Sequence, residues 1–246
     1  MKRISMLALA VCAIFAFSVA SASATQPVFY GVAEIGKTVA AQKISGTLGA
    51  AFLEGKTSKS KISCTAGTAS GEITSPTKTV GNVTTFTGCE SGGFPCNSTG
   101  DPSGTIKTTA LDGVLGNVTA TLPAIRLFAP GEGGKSPKTG SLATFTCAGG
   151  AVSVVVSGSV IGSLSGAQGK TFEEGKFAAS TKLTFAETAG AQKYTKFVTG
   201  ECGGNANDCG PEQLTSTING TPELGGQSVI ATLKTVPFAS KLGFTK

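Results

Sequence analysis

The chain has 246 residues, of which 35 are glycine, and it contains no histidine and no tryptophan. Without histidine it cannot build a Ser-His-Asp or Cys-His catalytic site or an imidazole metal ligand. Charged residues make up 14% and hydrophobic residues 40% of the chain, which predicts a folded core and not a charged disordered tail. The formal net charge of +6 comes mostly from scattered lysines, so no nucleic-acid partner is expected.

The first 24 residues have the three-part pattern of a secretory signal peptide. Met1-Lys2-Arg3 is basic, residues 4–19 are almost continuously apolar, and a run of small residues ends at Ala24. Cleavage after Ala24 leaves one exported domain, residues 25–246. No later apolar run reaches the length of a membrane-spanning helix, so no membrane insertion is expected after cleavage. The sequence therefore predicts a secreted, extracellular protein, with association with the cell wall as an option.

Just after this segment, residues 31–38 (GVAEIGKT) match the P-loop pattern. A working P-loop also needs a metal-binding aspartate after an apolar strand, and none of Asp101, Asp112 or Asp208 follows such a run. Gly-Lys-Ser/Thr recurs elsewhere in the chain, which makes the match an effect of composition. We therefore predict no nucleotide and no other cofactor.

Alternation of apolar with polar residues predicts strands through most of the mature chain. It is clearest at Val118–Ala120–Leu122, across residues 151–161, at Leu183–Phe185 and at Val229–Ala231–Leu233. Two short segments, residues 38–44 and 187–197, are the helix candidates. Residues 130–140 (PGEGGKSPKTG) predict a long loop or linker. The fold class is therefore all-β, a mainly antiparallel β-sandwich or barrel-like domain.

The even number of cysteines in the mature chain predicts a fold stapled by disulfides. The six are Cys64, Cys89, Cys96, Cys147, Cys202 and Cys209. Six cysteines allow fifteen pairings, but Cys89 and Cys96 have the same spacing as Cys202 and Cys209, and similar segments follow each pair. This favours an internal repeat with related halves, residues 40–130 and 140–240. The symmetric pairing is then Cys89–Cys96, Cys202–Cys209 and Cys64–Cys147.

Three segments resemble a family of predicted exported proteins from high-GC Gram-positive bacteria. They are GNVTTFTGCESGGFPCNSTG with GTIKTTALDGVLG, FTCAGGAVSVVVSGSVIGSLSG, and STKLTFAETAGAQKYTKF. The resemblance covers roughly residues 60–225. It implies export and a β-rich build, and it carries over no catalytic residues. Cys202 and Cys209 lie outside the pattern that the family shares.

Carboxylates are the remaining candidates for chemistry. A glycosidase needs two of them facing each other across a sugar, and the adjacent Glu173 and Glu174 would point to opposite faces of a strand. Oxygen-rich side chains crowd the segment between Cys202 and Glu212, where an ordinary polar turn is expected and a calcium loop is the alternative: Asn205, Asn207, Asp208 and Glu212. We assign no catalytic and no metal residue.

The sequence thus predicts a non-enzymatic, exported surface, binding or structural protein whose ligand is unknown. Cell-wall glycan or another surface protein are the candidate partners. The alternatives are a secreted carboxylate-dependent polysaccharide hydrolase and a calcium- or glycan-responsive adhesion module.

Overall fold

A computed structural model describes residues 27–31, 42–132, 138–165, 182–200, 211–235 and 242–245. The described residues form strands and one short 3-10 turn, Ala148–Gly150. The strands are β1 (Val28–Gly31), β2 (Gln42–Leu48), β3 (Ala51–Gly55), β4 (Lys61–Cys64), β5 (Ala66–Ser75), β6 (Lys78–Thr87), β7 (Glu90–Ser91), β8 (Phe94–Asn97), β9 (Ile106–Lys107), β10 (Leu111–Asn117), β11 (Pro123–Phe128), β12 (Ser141–Cys147), β13 (Val152–Ser165), β14 (Lys182–Phe185), β15 (Glu187–Thr188), β16 (Ala191–Gln192), β17 (Thr199–Gly200), β18 (Leu214–Ile218), β19 (Thr221–Thr235) and β20 (Leu242–Thr245). The all-β, mainly antiparallel prediction is confirmed.

Most strands pair with antiparallel neighbours in an up-and-down meander. In several places two short strands lie end to end along one longer strand. β2 and β3 run along β19, and β5 and β4 run along β2 and β3. β11 and β12 likewise lie end to end along β13. β13 and β19 are long enough, at 14 and 15 residues, to pair with two shorter strands in succession on each side.

Two circuits of strands close on themselves. The first runs β2–β5–β6–β10–β11–β13–β14–β19 and returns to β2. The second runs β3–β4–β7–β8–β12–β13–β18–β19 and returns to β3. Eight closed strands leave an interior just wide enough to be filled by side chains or to hold one small ligand.

The main hydrophobic core fills this interior. Because successive side chains on a strand point to opposite faces, every second residue faces inward. Ile125 and Leu127 on β11 do so, and they join one cluster with residues from both circuits. Its members include Leu48, Ile62, Leu115, Phe145, Val160 and Val229.

A smaller apolar cluster lies on the outside of the same sheet. Every residue of β11 is buried, as expected of a strand covered on both faces. Its outward residues Ala124 and Phe128 pack with Ile161 and with Phe197 from a covering segment, which we define as residues 193–200 and 211–213. Gly116 makes room for this segment, because a Cβ there would lie 2.4 Å from the Phe197 ring.

Three local predictions are wrong. Residues 42–44 of the first helix candidate belong to β2, while residues 38–41 lie outside the described part. The second candidate contains the β15–β16 hairpin, which turns at Ala189 and Gly190 with φ of 53° and 79°, values incompatible with a right-handed helix. Residues 118–122 form a bend between β10 and β11 and not a strand. The predictions over residues 151–161, 183–185 and 229–233 are confirmed.

The predicted disulfide pairing is also wrong. The structure joins Cys64 to Cys89 and Cys96 to Cys147. Cys96 and Cys147 are direct partners in the β8–β12 ladder, whereas Cys89 and Cys96 flank the β7–β8 hairpin. Cys202 and Cys209 lie outside the described residues. Disulfides persist in oxidising compartments, so both bridges are consistent with an extracellular protein.

The observed bridges differ from the symmetric pairing that follows from duplicated halves 40–130 and 140–240. The segments that match in sequence also differ in conformation, since residues 231–233 lie within β19 while residues 120–122 form a bend. The predicted linker, residues 130–140, joins β11 to β12, two strands that both pair with β13; residues 133–137 are not described.

Candidate functional site: an apolar cavity inside the closed sheet

The interior of the closed sheet contains a cavity of about 150 Å³. Its walls come from strands of both circuits, and most of its lining side chains are apolar. They include Leu48, Ile62, Phe86, Leu127, Phe145 and Val229. A cavity of this volume and character holds one benzene-sized molecule.

The cavity exists because several inward positions carry short side chains. Alanine lines it at Ala51, Ala69, Ala143 and Ala231. An eight-stranded closed sheet can be filled by its own side chains, so alanine in place of leucine or phenylalanine leaves space.

Phe29 contributes to the cavity from outside the closed circuits. It lies on β1, which pairs with β20 in a separate two-stranded sheet. The Phe29 ring lines the cavity, and its backbone N–H donates to the carbonyl of Pro76 at 2.5 Å. Pro76 lies in the turn between β5 and β6, so Phe29 sits at the end of the sheet where these strands meet.

One buried polar side chain, Asn82, faces the cavity. Its amide nitrogen donates to the Thr79 hydroxyl at 2.8 Å and to the Leu111 carbonyl at 2.9 Å. The bond to Thr79 lies within β6, and the bond to Leu111 links β6 to β10 where the register of the two strands shifts between Leu111 and Gly113. The side chain thus supports the closure of the first circuit.

A second polar cluster lies on the outer face of β11, beneath the covering segment. Arg126 Nη1 lies 2.5 Å from Glu212 Oε1, and the two residues are 0% and 1% exposed. The Ser159 hydroxyl donates to the other carboxylate oxygen of Glu212. The guanidinium also lies 5.3 Å and 5.9 Å from the rings of Phe128 and Phe197. The ion pair therefore ties the covering segment to the sheet.

Lys138 lies close to this cluster. Its Nζ is 4.6 Å from the Phe128 ring centroid and donates to the Glu132 carbonyl at 3.0 Å. Burial, and then the positive charge of Arg126, lower the pKa of Lys138, while Glu212 and Glu132 oppose the shift. The cluster is sealed from solvent, so we assign it to stability and not to binding.

Only one residue of the suggested calcium loop, Glu212, lies in the described part of the chain. Glu212 is bound to Arg126, while Asn205, Asn207 and Asp208 lie outside the described residues, as do Glu173 and Glu174. Of the P-loop match only Gly31 is described. Within the described ranges, no three His, Cys, Asp or Glu side chains come together in a way that could hold a metal ion.

The sequence reasoning missed the cavity, Asn82 and the Arg126–Glu212 pair. Arg126 carried a usable signal, because it is the only arginine after the signal segment and stands between apolar residues on both sides. A charge within a strand that is apolar on both faces needs a buried partner. Asn82 carried no comparable signal among the many polar residues of β6.

No family model matches the chain, and comparisons with curated proteins and with solved structures found no similar protein. Within the described residues, no helix is both long and apolar enough to span a bilayer.

Proposed function

We propose that the chain is an exported, non-catalytic binding protein that holds one small apolar molecule inside its closed sheet. The cavity of about 150 Å³ with its apolar lining carries this proposal. A predominantly apolar, preformed concave site with few polar groups is the usual form of a small-molecule site. Secretion rests on the signal-peptide pattern of residues 1–24, and the two disulfides are consistent with it.

The carboxylate-dependent hydrolase and the adhesion module remain alternatives. No contact among the described residues supports either of them. Several described carboxylates have partners within the fold. Glu212 binds Arg126, Glu132 accepts from the backbone of Thr139 and Gly140, and Glu223 accepts from that of Thr57. These bonds hold loops and the covering segment in place. The resemblance to exported proteins of high-GC Gram-positive bacteria is a further argument for the proposal that the chain is exported.

Toluene tests the proposed site directly. A ligand at ten times its Kd adds about 1.4 kcal/mol to the free energy of unfolding, which raises Tm by about 3–6 °C for a chain of this size. We expect mature protein, residues 25–246, to show this rise in a calorimetric melt with toluene. Isothermal titration of the folded protein then gives the Kd.

Filling the cavity should abolish the effect. Ala69→Leu places a larger side chain into the cavity, and the matched control Ala66→Leu adds the same atoms at an exposed position on the same strand. We expect Ala69→Leu to lose toluene binding while Ala66→Leu keeps it, both judged folded by circular dichroism. Failure of the unmodified protein to bind any of toluene, benzene and phenol, or equal toluene binding by both variants, would contradict the proposed site.

A further inference from the structure

Asn82 is the only buried side chain among the polar residues that line the cavity in the described part of the chain. It is 9% exposed, whereas Ser45, Ser70, Thr84, Thr108 and Gln227 are all partly or fully exposed. The preceding Gly81 has φ of 61°, and the β5–β6 register shifts between Ser70 and Glu72. This irregularity places an amide in a wall that is otherwise mostly hydrocarbon.

The hydrogen bonds of Asn82 determine which way its amide points. A backbone carbonyl can only accept, so the atom 2.9 Å from the Leu111 carbonyl must be the amide nitrogen. The same nitrogen donates to Thr79. Both bonds use the donor side of the amide and leave Oδ1 as an acceptor.

Gly71 provides the space that Oδ1 occupies. A Cβ built on Gly71 would lie 2.3 Å from Oδ1, which is closer than real Cβ atoms come to such an atom. The backbone of Gly71 does not have a positive φ, so this position needs glycine for room and not for conformation. The geometry thus keeps a carbonyl oxygen at a fixed place within the closed sheet.

We infer that the ligand is a neutral, apolar molecule with one hydroxyl or N–H group, which donates to Asn82 Oδ1. The inference rests on the proposed function and adds the ligand's chemical class. The described lining residues include no acidic and no basic side chain, so a charged ligand would be buried without a counter-charge. A buried acceptor in a mostly apolar wall favours a ligand that places a donor against it, because a buried hydroxyl without a partner weakens binding.

Phenol and toluene test this inference, since they have equal numbers of heavy atoms and differ in one hydroxyl. We expect titration calorimetry on mature protein to give phenol a Kd equal to or lower than that of toluene. A wholly apolar site would instead bind phenol at least tenfold more weakly. A phenol Kd above that of toluene, or binding of benzene without phenol, overturns the inference and leaves the proposed function standing. Failure of all three probes overturns both.

Gly71→Ala tests the acceptor within the protein. The added methyl group must displace Oδ1, so the preference for phenol over toluene should fall at least tenfold. Gly49→Ala is the matched control, because a Cβ at Gly49 meets no atom within 4 Å; it should keep the preference. An unchanged preference in folded Gly71→Ala overturns the inference. If that variant does not fold, the comparison of phenol with toluene on the unmodified protein decides alone.

Discussion

At the scale of single residues, two glutamates, Glu212 and Glu223, connect parts of the chain that are distant in sequence. Arg126 and Glu212 are 86 residues apart in sequence, and their ion pair holds the covering segment on the sheet. Glu223 on β19 holds the turn between β3 and β4 in a similar way, through bonds from Thr57 and Ser58. Neither partner can be identified from residue identity alone, because the residues in contact are 86 and 165 residues apart along the chain.

Arg126→Met should remove the hydrogen-bonded counter-charge of the buried Glu212 and leave Lys138 as the nearby positive charge. Loss of one partner of a buried ion pair costs about 3–5 kcal/mol of unfolding free energy. Urea denaturation under oxidising conditions measures this loss. The double variant Arg126→Met/Glu212→Leu should lose less than the sum of the two single variants, because it removes both charges of the pair together. A loss below about 1 kcal/mol in the single variant would contradict the assigned role.

Glu223 should make stability depend on acid. Burial acts to raise the pKa of Glu223, but hydrogen bonds from Ser58 and Thr57 outweigh it and lower the pKa below its usual value. A lowered pKa in the folded state stabilises the protein above the unfolded-state pKa of about 4.3, and this contribution disappears as pH falls through the folded pKa. Tm of the unmodified protein should therefore fall more between pH 5 and pH 3 than Tm of Glu223→Gln.

Ser58→Ala is a control variant whose pH dependence of stability should lie between those of the unmodified protein and Glu223→Gln. It removes the hydroxyl that donates to Glu223 and keeps the two backbone donors. The acid-induced loss of stability should then be smaller than in the unmodified protein and should be complete at a higher pH. Identical pH profiles for all three proteins would contradict the contribution of Glu223.

At the scale of elements, the alternation of apolar and polar residues correctly predicted strands where one face contacts solvent or where valine is frequent. It failed where a turn or a second covering layer determines the conformation of the segment. Residues 229–233 alternate and lie in β19, yet residues 118–122 alternate equally well and form a bend. The difference is that β10 and β11 pair as a hairpin, whose turn must fall between Asn117 and Pro123. Residues 187–197 lack a helix because Ala189 and Gly190 turn the chain into a hairpin.

At the scale of the whole molecule, the two disulfides join neighbouring parts of the second circuit. Cys64 on β4 bonds to Cys89 just before β7, and Cys96 on β8 bonds to Cys147 on β12. Both bridges therefore reinforce the pairings that complete this circuit. The cavity lies inside the same closed sheet, so its shape depends on that closure.

Peptide mapping under non-reducing conditions should recover Cys64–Cys89 and Cys96–Cys147. On the loop-entropy model, sequence separations of 25 and 51 correspond to about 3.5 and 4.1 kcal/mol of stabilisation. Replacing Cys96 and Cys147 together by serine should therefore cost at least as much unfolding free energy as replacing Cys64 and Cys89. Recovery of a Cys89–Cys96 peptide would contradict the structure.

The sequence by itself determined the all-β class, the inward-facing pattern of β13 and β19, the abundance of disulfides and the expectation of export. These properties follow from local composition and from the two-residue period of a strand, which any short window of the chain displays. Only the tertiary structure decided the closure of the sheet, the cysteine pairing, the cavity and the partners of Arg126 and Asn82. Each of these depends on which distant strands become neighbours, and register between distant strands is set by packing across the whole closed sheet.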